Sequence, residues 1–122
     1  MGLSRTVTFS TDSRPTWESV RLAAATLGET PVVGMIDNLP AFPDEIPDPY
    51  WTDLRLALSS GMVTIRSTPS GWIVSIWGNA DEALRRCWNI VLWAIASAGQ
   101  GSLILDDGRA VLAEEFRHLV LR

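Results

Sequence analysis

The chain contains no lysine: all ten basic residues are arginine, scattered apart from the adjacent pair Arg85-Arg86. Against fourteen acidic residues they leave a net charge of −4 at pH 7. Nucleic-acid binders draw much of their affinity from a basic face that neutralises phosphates. A nucleic-acid partner is therefore not expected. The only cysteine, Cys87, cannot close an internal disulfide, which suits a reducing compartment. With His118 as the only histidine, a zinc site lacks its usual ligands. The most apolar run, Ile90 to Ala96, is far shorter than the ~18 residues that span a bilayer. Met1-Gly2-Leu3-Ser4-Arg5 lacks an apolar signal core. These absences point to a cytoplasmic protein with no membrane partner, no metal and no cofactor.

A hydrophobic fraction of 47% and a charged fraction of 20% fit one globular domain spanning 1–122. Alternation in Arg5-Thr6-Val7-Thr8-Phe9-Ser10 predicts a strand with Val7 and Phe9 inward. Asp12 and Ser13 offer caps for a helix from Pro15 to Leu27, with Trp17, Val20, Ala24 and Leu27 on one stripe and Gly28 closing it. Residues 28–51 then change character, with Pro31, Pro40, Pro43, Pro47 and Pro49 forming an irregular excursion around a short strand at Val32 to Ile36. Leu54, Leu56 and Leu58 alternate with Arg55 and Ala57, which favours a strand over the alternative of a short helix. Met62 to Ser67 and Trp72 to Trp77 form a hairpin through Thr68-Pro69-Ser70-Gly71. In its second strand Trp72, Val74 and Ile76 share one face and Ile73, Ser75 and Trp77 the other, so the strand is expected to be covered on both sides.

A long helix runs from Asn79, as N-cap with Glu82 three residues on, to Gly99 as its left-handed stop. Ser102 to Leu105, Ala110 to Leu112 and Glu114 to Leu121 follow as strand, extended segment and short helix. This order predicts an α+β fold of the split β-α-β, ferredoxin-like type: an antiparallel sheet with two main helices on one face and a Pro-rich insertion.

No catalytic constellation emerges. On the helical wheel Cys87 falls among Ala83, Leu84, Val91, Ala94 and Ala98, where an apolar setting makes a poor nucleophile. His118, near the C-terminus, has no well-placed nucleophile motif to serve. Asp106-Asp107-Gly108-Arg109 is a turn, and Gly99-Gln100-Gly101 ends a helix where a phosphate cradle would open one. Two candidate partner surfaces remain. Trp93 lies opposite Cys87 beside Arg86 and Asn89, a combination favoured at interface hot spots. Asp44, Glu45 and Asp48 sit in the excursion, which has no basic residue and suits a basic partner.

The expected function is accordingly a small non-catalytic protein-binding module, holding a protein partner or its own copy. Its overall form (small, acidic, tryptophan-rich) is similar to that of bacterial immunity or antitoxin-like proteins, an analogy of size and composition with no shared residues. The alternative is a small-molecule-binding or enzymatic homodimer with a pocket at the sheet face, lined by Trp72, Ser75, Trp77 and Arg66.

Overall fold

The computed structural model describes residues 2–10 and 14–121, so the expected caps Asp12 and Ser13 lie outside the described residues. In chain order the elements are β1 (Gly2–Thr8), α1 (Trp17–Ala25), β2 (Val32–Ile36), β3 (Leu39–Pro40), β4 (Asp53–Leu58), β5 (Gly61–Ser67), β6 (Gly71–Trp77), α2 (Glu82–Gly99), β7 (Ser102–Ile104), β8 (Ala110–Leu112) and α3 (Ala113–Val120). All eight strands join one antiparallel sheet in the order β3-β2-β4-β5-β6-β1-β7-β8.

This corrects the ferredoxin-like expectation. Among the described residues 34% are strand and 30% helix, with three helices on a sheet twice as wide as a split β-α-β unit requires. The Pro-rich segment supplies two of the extra strands. Val32 and Val33 pair with Ala57 and Leu56, and a register shift around Gly34 lets Met35 pair with Arg55. Asp37 and Asn38 both take positive φ, 50° and 68°, and turn β2 directly into β3. The last segment supplies β8 and α3. Both sheet edges are blunt: β3 has two residues, one of them Pro40, and β8 has three.

Strand parity divides the sheet into two unlike faces. Val7, Leu54, Leu56, Val63, Ile65, Trp72, Val74, Ile76, Leu103 and Val111 are buried on the helix side, where α2 packs over β1, β5, β6 and β7 and α3 over β7 and β8. Strand β6 is therefore central yet covered on one face only, contrary to the two-sided expectation. Trp77 on its other face is 72% exposed.

The helix ends differ from the expected ones. Asp81, not Asn79, caps α2, its carboxylate accepting the Leu84 N–H at 2.9 Å. Thr16 caps α1 through Ser19 N–H. At the far end of α2 the left-handed residue is Gln100, φ 51°, and Gly99 is still helical. Gly99 is required for space: a Cβ there would stand 2.7 Å from Phe9 Cε1 and 2.7 Å from Pro15 Cδ.

One side chain bolts the helix layer to the sheet. Arg5 points from β1 into that layer, with its guanidinium 4.8 Å from the Trp88 ring centroid and 5.7 Å from that of Phe116. It donates to Asn89 Oδ1 at 2.8 Å and approaches Asp106 at 3.5 Å.

Candidate functional site

Two surfaces of opposite character stand out, and strand register explains the first. On the face away from the helices, Met35, Arg55, Thr64, Ser75 and Ser4 lie in register across β2, β4, β5, β6 and β1. The next row holds Asp53, Arg66, Ile73, Thr6 and Ile104. On the opposite flank lie Met62 and Trp77, each two residues from the Thr64–Ser75 pair. Small hydroxyl side chains thus floor a trough between taller rows. Its volume is about 940 Å³. Ser4 and Ser75 hydroxyls bond each other across the floor at 2.7 Å.

Charge along the trough is uneven. Arg55 Nε lies 3.8 Å from Asp53 Oδ1, and its Nη2 donates to Asn38 Oδ1 at 3.2 Å. That Asp53 oxygen is inaccessible to solvent and accepts no hydrogen bond. Arg66, directly opposite Asp53 in register, is exposed and has no ion pair or hydrogen bond among the described residues.

The second surface is the excursion beyond β3. Its base is anchored: Pro47 and Trp51 are buried, and the Trp51 ring packs 4.8 Å from Trp72, which also meets Phe9 edge-on at 5.4 Å. Asp37 pins its return to β4, with Oδ1 accepting from Thr52 N–H at 2.8 Å, Thr52 hydroxyl at 2.8 Å and Asp53 N–H at 2.9 Å. These donors, the Thr52 N–H foremost, hold the Asp37 carboxyl below the usual carboxylate range. Within the loop, Phe42 and Glu45 bond reciprocally, N–H to carboxylate at 3.2 Å and N–H to carbonyl at 2.9 Å. Asp48 accepts the Tyr50 N–H at 2.7 Å. On this stiffened frame Leu39, Phe42, Ile46 and Tyr50 stand 69–87% exposed. No basic residue lies between Arg21 and Arg55. A recess of about 320 Å³ lies where Pro43, Asp44, Glu45 and Ile46 meet Trp17, Glu18 and Arg21 at the start of α1.

The residues singled out in the sequence are distributed as follows. Asp44, Glu45 and Asp48 are exposed together in this loop. Trp93, Arg86 and Asn89 do not form an open patch: Trp93 is 9% exposed with Arg117 of α3 5.7 Å above its ring, and Asn89 is engaged by Arg5. Arg86 alone of the three is exposed. Arg66, Ser75 and Trp77 line the trough, whereas Trp72 belongs to the opposite face. The exposed apolar residues Phe42, Ile46 and Tyr50 went unremarked in the sequence, although their spacing of four among acids and prolines was visible.

Cys87 is buried, but its surroundings are less apolar than the helical wheel implied. Its thiol donates to Glu29 Oε1 at 3.3 Å and lies 3.6 Å from the Ser59 hydroxyl. Glu29, itself 8% exposed, also accepts the Ser59 hydroxyl at 2.9 Å and the Ser59 N–H at 3.3 Å. The cluster ties the α1–β2 connection to the β4–β5 turn. His118 stands on the exposed side of α3, 3.5 Å from Glu114. Among the described residues no group of three or more His, Cys, Asp or Glu side chains is arranged to hold a metal ion, and no helix is long and apolar enough to cross a membrane.

No family model, no curated protein and no solved structure matches this chain.

Proposed function

We propose that this protein is a protein-binding module rather than an enzyme, and that the acidic excursion is its docking element. One observation carries the reading: Phe42, Ile46 and Tyr50, each more than 70% exposed, stand within nine residues on a loop braced by three prolines and its own carboxylates. Isolated exposed apolar residues need no explanation, but a cluster on an ordered segment marks an interaction site. Buried by a partner, an aromatic side chain removes ~150–250 Å² from water. At ~25 cal/mol/Å² each aromatic is worth a few kcal/mol before association costs. The rigid frame lowers those costs, because little loop entropy remains to be lost. Asp44, Glu45 and Asp48 between the anchors select a basic partner surface and speed the encounter.

The test is affinity capture from the source cell with the wild type and with the triple variant F42S/I46S/Y50S, coupled to light scattering. The reading expects a basic protein, held salt-sensitively by the wild type and lost by at least ~30-fold in the triple variant. Identical capture by both proteins refutes it. Loss of a dimer in the triple variant instead assigns the loop to self-association.

A further inference from the structure

We infer that the trough on the open sheet face is a second, independent site, and that it takes a small organic carboxylate with an apolar body. The head of such a ligand has one evident partner. Asp53 turns its carboxylate to Arg55 at 3.8 Å, which leaves Arg66 as the lining guanidinium without an ion pair or hydrogen bond among the described residues. A guanidinium matches a carboxylate through two parallel N–H donors. In a protein of net charge −4, this face carries one acid against two arginines in its lining. It is locally the wrong sign for the molecule as a whole and the right sign for an anion.

The body of the ligand is set by shape. Strands lie ~4.8 Å apart, so the floor from β5 across β6 to β1 runs about 10 Å, the length of a chain of roughly eight carbons. Ile73 on one flank and Trp77 on the other supply apolar walls beyond the charged end. Trp77 is the exception among six tryptophans, at 72% exposure against 9% or less for the other five. Arg66 pairs with Ile73 on one flank and Trp77 stands four residues further along β6 on the other, so a ligand spanning the trough can meet the guanidinium at one end and take the indole out of water at the other. The Ser4–Ser75 bond satisfies part of the floor's polar demand, so an apolar body can lie over it without orphaning both hydroxyls. At about 940 Å³ the trough is at the upper end of small-molecule sites.

Octanoate is the probe, titrated calorimetrically into the wild type, R66Q, W77A and D53N, with octylammonium as the cationic control. Octanoate should bind saturably and octylammonium should not. R66Q, which removes no internal bond of the fold, should weaken binding at least ~10-fold. W77A should weaken it several-fold, and D53N, which relieves a nearby like charge, should tighten it. Equal affinity in R66Q, equal binding of the two probes, or no saturation up to about 10 mM octanoate each overturns the inference. So does a dimer that W77D dissociates, which would mean that a second copy occupies the face. None of these outcomes bears on the excursion, whose variants leave the trough intact.

Discussion

Replacing Arg5 by alanine is expected to destabilise the fold by about 3 kcal/mol, more than an exposed ion pair could account for. The guanidinium is mostly buried, its side chain 15% exposed. A hydrogen bond from a charged donor, here to Asn89 Oδ1 at 2.8 Å, contributes ~1.5–3 kcal/mol. Each desolvated cation–π contact adds ~0.5–2 kcal/mol, and Arg5 makes two, to Trp88 and Phe116. The approach to Asp106 adds little, because that carboxylate is 82% exposed. Desolvating the guanidinium costs part of this sum, which brings ~4–6 kcal/mol of contacts down to about 3. For a chain of this size that corresponds to a Tm lowered by roughly 12 °C. Urea denaturation should show a lower midpoint with an unchanged slope, since the exposed area on unfolding is unaltered. Arg5→Lys should fall about halfway, keeping charge while losing the planar fork. In the double-mutant cycle with Asn89→Ala, the coupling should be ~1–2 kcal/mol. A loss below ~0.5 kcal/mol in Arg5→Ala, or additivity with Asn89→Ala, would refute the reasoning.

Glu29→Ala should cost ~1–3 kcal/mol, because it strips a buried acceptor from the Ser59 hydroxyl, the Ser59 N–H and the Cys87 thiol at once. Glu29→Gln keeps one acceptor oxygen and should restore part of the loss, as chemical denaturation would show. For Asp37 the sign follows from its depressed carboxyl: protonation is harder in the folded state, so its contribution is present above the ordinary carboxylate pKa and lost as pH falls through the folded value. The stability gap between wild type and Asp37→Ala should therefore be full near neutrality and shrink below about pH 4. A gap that widens on acidification, in denaturation curves taken across that range, contradicts the three-donor arrangement.

Local signals were legible where the chain's own chemistry decides the outcome. The period-two patterns at Met62 to Ser67 and Trp72 to Trp77 match the observed ladder Thr64↔Ser75 and Ile65↔Val74. The stripe Trp17, Val20 and Ala24 is buried on α1. What escaped was set by contacts distant in sequence. Five prolines between residues 28 and 51 suggested an irregular excursion around a short strand at Val32 to Ile36. That strand forms, but its pairing with β4 and the edge strand holding Pro40, where a missing N–H costs least, depend on partners distant in sequence. That pairing, with β8 beyond β7, widened the sheet past the expected type.

The two tryptophans show why a site is harder to read than a strand. Periodicity places Trp93 on the outer side of α2, and that is correct for the isolated helix. It becomes buried because α3, only eight residues long, folds back with Phe116 fully buried and Arg117 over the Trp93 ring. Trp77 looks the same by composition, but its face of β6 receives no helix, since all three helices lie on the other side of the sheet. A helix needs another element to cover its outer side, whereas an antiparallel sheet is stable with one face in water. For such a chain, the face that the last segment covers decides which tryptophan stays in water. Here α3 chose the helix layer, and in doing so it hid Trp93, expected at a partner surface, and left open Trp77, expected at the sheet-face pocket.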